Sequence, residues 1–196
     1  MIGEKIAPAF THKEYLFRRK VFTFLGAAFH VYDGNGQLVF YSRQKPFRLR
    51  EDFRVYSDET MSRELLTIKT PHVLDIWAAY NVEDPATGEK VGVVKRKALK
   101  SIIRDEWVFI SPEGKETGRL TETSLLGALL KRLINLVPQS YDIILAGGQK
   151  IAQVRQHFNP FILRYSMQIT VPQPGIDPRL LVAAGILLAG VERRQQ

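Results

Sequence analysis

Two hydrophobic spacings run along this chain, and the second takes over near its end. Over residues 161–171, Phe161, Leu163, Tyr165, Met167, Ile169 and Val171 alternate with Ile162, Arg164, Ser166, Gln168 and Thr170. A period of two places the first set on one face of a strand, toward a core, and the mostly polar second set toward water. Leu74, Ile76, Ala78, Tyr80 and Val82 repeat the pattern. Shorter β-prone segments flank turn residues: 27–32 and 37–42 around Asp33-Gly34-Asn35-Gly36, then 74–82 with 91–97, 106–110 with 119–123, and 141–146 with 150–156. Such pairs read as hairpins, and together they predict roughly ten to twelve antiparallel strands.

The spacing then changes. Residues 180–191 form an uncharged apolar run, introduced by Asp177-Pro178 and closed by Glu192-Arg193-Arg194. Asp accepts orphan amide protons at a helix start, and Pro tolerates the first helical position. A helix apolar on every side must be buried all round, in protein or in lipid. Twelve residues of helix reach only about 18 Å, whereas bilayer hydrocarbon is roughly 30 Å thick. Gly185 and Ala189 do show the small-xxx-small spacing of membrane helices, but length decides for a core helix wrapped by sheet, and no transmembrane span is expected. Burying its seven large aliphatic side chains is worth on the order of 10–20 kcal/mol gross, comparable to the net stability of a whole domain. A second helix is predicted over residues 124–136, where Leu125, Leu126, Leu129, Leu130, Leu133 and Ile134 share one side and Lys131, Arg132 and Asn135 the other. Covering the open end of a sheet is the preferred role for it, lying on a membrane surface the alternative.

The predicted fold is therefore mainly β with few helices: a closed antiparallel barrel of about twelve strands around a buried apolar C-terminal helix. Closure abolishes exposed sheet edges, and a threaded helix fills the lumen that so many strands leave. Residues 1–196 read as a single domain, with 1–12 as a loose lead-in.

Composition then narrows the chemistry. The chain lacks cysteine altogether, which excludes disulfides, thiolate nucleophiles and cysteine-ligated metals. Its start carries no apolar signal core, so a cytoplasmic protein is expected, one that can sit peripherally on the inner face of a membrane. Net charge is +8, a property that concerns partners more than fold. His12, His30, His72 and His157 are scattered without ligand spacing, and His30, among apolar neighbours, reads as a core histidine. The adjacent acids Asp58-Glu59 and Asp105-Glu106 would face opposite ways on a strand. No catalytic constellation emerges, so no enzyme is expected. The candidate site is basic instead: Lys95, Arg96, Lys97, Lys100 and Arg104, joined by Lys131 and Arg132 if the second helix lies alongside. Ammonium and guanidinium groups suit phosphate oxygens. Lys95 and Lys97 share the parity of Val91 and Val93, so the strand must twist or turn before them. Arg18-Arg19-Lys20 and the group Arg43, Lys45, Arg48 and Arg50 are further basic runs.

This order of parts resembles the tubby-like superfamily, which comprises the tubby carboxyl-terminal domain, the phospholipid scramblases and the plant LURP-one-related proteins. The residues that carry the likeness are the strand–Asp-x-x-Gly–strand units, Asp33 to Gly36 foremost, then Glu89-Lys90-Val91-Gly92-Val93-Val94-Lys95-Arg96-Lys97, and Asp177-Pro178-Arg179 ahead of the apolar run. It spans residues 14–192 and is nearest to the scramblase and LURP-one branches in compactness. It implies a twelve-stranded barrel around a central hydrophobic helix, and, from the tubby domains, binding of phosphoinositide head groups through basic residues. The calcium site of scramblases has an acidic loop before the terminal helix. Here residues 170–179 hold one acid, Asp177, and calcium needs several oxygen ligands. No cofactor is expected, calcium included. The expected function is non-enzymatic docking on anionic phospholipid or phosphoinositide head groups. A nucleic-acid-binding regulator and a lipid-translocating scramblase are the alternatives.

Overall fold

A computed structural model describes residues 6–20, 28–44, 52–70, 79–97, 106–123, 138–159 and 161–191. Twelve strands make one closed barrel: β1 (Glu14–Lys20), β2 (Ala28–Asp33), β3 (Leu38–Gln44), β4 (Asp52–Tyr56), β5 (Glu64–Lys69), β6 (Ala79–Glu83), β7 (Lys90–Lys97), β8 (Glu106–Ile110), β9 (Glu116–Glu122), β10 (Ser140–Leu145), β11 (Lys150–His157) and β12 (Ile162–Ile169). Each pairs antiparallel with its neighbours in sequence, and β1 closes on β12. The terminal helix α1 (Pro178–Val191) is enclosed, with every residue from Leu180 to Ala189 that carries a side chain buried. Among the described residues no helix is long and apolar enough to cross a membrane. The predicted helix 124–136 and the first part of the predicted strand 74–82 lie outside the described residues.

Alternation builds the wall. Inward positions such as Tyr15 and Phe17 on β1, Phe29 and Val31 on β2, and Leu163, Tyr165 and Met167 on β12 are all buried. Small residues on α1 let these rings come close: a Cβ on Gly185 would sit 2.2 Å from Cζ of Phe17. From the lead-in, a 3-10 turn over Pro8–Thr11 buries Phe10, whose ring centroid lies 4.7 Å from that of Phe40.

The up-and-down order gives the barrel two unlike ends. At one end the described connections are short turns after β2, β4, β6, β8 and β10, and here α1 begins. Asp33 holds the first turn, its Oδ1 accepting amide hydrogens from Asn35 (2.9 Å) and Gln37 (2.8 Å). At the other end β1, β3, β5, β7, β9 and β11 finish, and here α1 finishes. Phe161 is a correction. Parity places it on the core face, yet it is 69% exposed, because β12 begins one residue later. Asn159 Oδ1 accepts from the amides of both Phe161 and Ile162 (2.9 Å each), an Asx turn that turns Phe161 away from the wall.

Candidate anion-binding surface

The β7 cluster is sorted by a bulge. Val82 pairs with Gly92 but Glu83 pairs with Lys90, so Val91 is an extra residue in β7. Val91, Gly92 and Val94 are buried, while Val93 and Lys95 are partly exposed and Lys97 is exposed. This is how the shared parity of Val91 and Lys95 is resolved. Gly92 has φ 148°, and a Cβ there would lie 2.4 Å from the Ile110 carbonyl oxygen. Only glycine fits.

The three basic residues at the end of β7 therefore diverge. Lys97 Nζ lies 2.9 Å from Glu106 Oε1. Arg96 pairs in register with buried Trp107, its guanidinium carbon 5.7 Å from that ring's centroid. Lys95 remains on the outer face. Lys100 and Arg104, in the β7–β8 connection, and Lys131 and Arg132, in the β9–β10 connection, lie outside the described residues.

A different basic group forms where the barrel closes. Within the run Arg18-Arg19-Lys20, Arg19 donates from Nη1 to the carbonyl oxygens of Ala189 (3.1 Å) and Gly190 (3.2 Å), the last turn of α1. A cation there satisfies orphan carbonyls and complements the helix dipole. Arg18 takes the outer face. It stands opposite Arg164 of β12 on one side and His30 of β2 on the other, and Arg164 stands opposite His157 of β11. The Arg18 guanidinium carbon is 5.5 Å from the Tyr32 ring centroid. Arg164 Nε is buried without a hydrogen-bond partner among the described residues. His30 thus belongs to the outer wall and not to the core. It is partly exposed, with Nε2 2.6 Å from Glu59 Oε1. Arg18, His30, Tyr32 and Ile162 line a cavity of about 190 Å³. The signal for this group was the outward parity of Arg18 and Arg164. What parity lacks is the register that sets them face to face.

The charge at the start of α1 is built differently. Arg179 is 3% exposed. Its Nη2 lies 2.7 Å from Asp177 Oδ2, and its Nη1 lies 2.9 Å from Glu89 Oε2 and 3.4 Å from Asp84 Oδ2. Burial works against its charge, but the hydrogen bonds and charges of Asp177 and Glu89 outweigh that and hold the guanidinium above its ordinary value. Asp177 also accepts the Arg179 amide hydrogen (2.9 Å), the cap expected of it. This cluster locks the helix to the β6–β7 turn.

A closed twelve-strand barrel threaded by a C-terminal apolar helix defines the class, the tubby-like fold. The model of the LURP-one-related family matches residues 13–189; the chain belongs to that family, which is part of the tubby-like superfamily. No curated protein and no solved structure gives a significant match.

Proposed function

We propose that this protein is a non-enzymatic module of the LURP-one-related family that docks on anionic phospholipid surfaces through the end of the barrel where α1 finishes. The observation that supports this is the uneven distribution of charge. Asp33, Asp58, Asp84, Glu89, Glu113 and Asp177 lie in or beside the short turns at one end. Toward the other end the outer wall presents Arg18, Arg43, Lys95, Arg155 and Arg164, and the connections leaving it carry Lys45, Arg48, Arg50, Lys100, Arg104, Lys131 and Arg132 in their sequence. Each cation near an anionic leaflet adds about 1 kcal/mol. Such a surface needs no reacting group, only a peripheral location at the inner face of a membrane.

Co-sedimentation with vesicles at low salt tests the reading. Phosphatidylserine or phosphoinositide vesicles should carry the protein down, neutral phosphatidylcholine vesicles should not, and high salt should release it as exposed charges are screened. A protein that stays in the supernatant with every anionic vesicle overturns the proposal. Oligonucleotide that binds while vesicles do not would move the function to nucleic acid.

A further inference from the structure

We infer that the tip between β11 and β12, with the arginine pair beneath it, is the edge that enters the membrane. This rests on the proposed docking and specifies where it happens. Phe158 and Phe161 are 55% and 69% exposed. The remaining exposed large apolar side chain among the described residues, Met61, lies at the opposite end of the barrel. Asn159 Oδ1 accepts from the amides of Phe161 and Ile162, which fixes where the Phe161 backbone leaves the wall. Aromatic rings suit the boundary between head groups and acyl chains.

Just below the tip the wall is cationic. Arg155 is exposed, and Arg18 and Arg164 face each other across β1 and β12. Like charges directly opposite on neighbouring strands oppose folding. No carboxylate is in salt-bridge reach of either guanidinium among the described residues; Glu59, on the neighbouring His30, is engaged there. An anion brought in from outside relieves that repulsion. Two guanidinium forks match the oxygens of a phosphate. A half-open hollow of about 190 Å³ is lined by Arg18, His30, Tyr32 and Ile162, and Ile162 directly follows Phe161, so this space lies beside the tip. Apolar rings ahead of paired arginines fit an anionic bilayer, with the rings below the head groups and the guanidinium groups among the phosphates.

Because the chain has no cysteine, a single introduced thiol reports one position. The test labels Phe161→Cys and, separately, Met61→Cys with a polarity-sensitive dye and adds phosphatidylcholine vesicles with or without phosphatidylserine. The label at 161 should shift to the blue with phosphatidylserine vesicles alone, and the label at 61 should not move. In parallel, co-sedimentation of the unlabelled double variant Phe158→Ser/Phe161→Ser should show at least about tenfold weaker binding, and Arg18→Gln/Arg164→Gln about thirtyfold weaker binding. Thermal melts would confirm that each variant is folded. If the wild-type protein binds no vesicle, the docking reading itself falls. If it binds, but the label at 161 is silent and the folded tip and arginine variants bind as well as wild type, docking stands and this placement of it is overturned.

Discussion

Arg179 and the Arg18–Arg164 pair carry the same chemical group at opposite ends of the barrel, in opposite circumstances. Arg179 is enclosed and faces Asp177, Glu89 and Asp84. Arg18 and Arg164 face each other on the outer wall, beside two histidines. A buried charge without a counter-charge is too costly to keep, so the interior arginine comes with its acids. An outer-wall arginine is partly hydrated, so the fold tolerates an unneutralised pair at small cost. What distinguishes charge serving the fold from charge awaiting a partner is therefore the acceptors around it, carboxylates for Arg179 and helix carbonyls for Arg19, not the cation itself.

Four substitutions press on that contrast. Replacing Arg179 with Met leaves Asp177, Asp84 and Glu89 crowded around an apolar side chain, and should destabilise the protein by about 3–5 kcal/mol in urea unfolding. A variant that melts like wild type would show the cluster to be incidental. Next comes the helix between the two ends: Gly185→Ala drives a methyl group into the Phe17 ring and should cost about 1–3 kcal/mol by overpacking. Arg19→Gln removes the cation from the end of α1, with an expected loss of about 1 kcal/mol and fraying of the last turn seen by hydrogen exchange. Smallest is the stability effect at the outer pair. Arg164→Gln should leave the unfolding free energy unchanged or raise it by at most about 0.5 kcal/mol, because it removes a like-charge contact. A large fall in stability there would mean that Arg164 serves the fold after all.

The barrel was legible from the chain because its local signals agree. Strict alternation in 162–169, turn residues between paired strands and a helix too short for a bilayer all point to one architecture. The clear exceptions have physical causes. In β5, Leu65, Leu66, Thr67 and Ile68 are all buried, so the period of two that would announce a strand is absent, and β4 and β5 left no readable hairpin. His30 sits among Ala28, Phe29 and Val31, and that neighbourhood suggests a core, although parity turns it outward. Phe161 continues the alternation on paper, while the Asn159 side chain ends the strand geometry before it. The basic site was harder still. A run such as Arg18-Arg19-Lys20 is contiguous in sequence, yet a strand sends Arg18 and Arg19 to opposite sides. Arg18 meets Arg164 only once the register of the closing seam is set. In the same way the extra residue Val91 in β7 decides that Lys95 and not Arg96 takes the outer face, and no count of charges along the chain anticipates a bulge.

The seam itself carries a kinetic consequence. Residues 14–20 hydrogen-bond to residues 162–168, and the apolar rod that fills the lumen follows those last strands. During synthesis every earlier hairpin must wait, with its greasy side uncovered, until β12 and α1 have left the ribosome. Assembly of this kind, dominated by partners remote along the chain, is slow and vulnerable to aggregation.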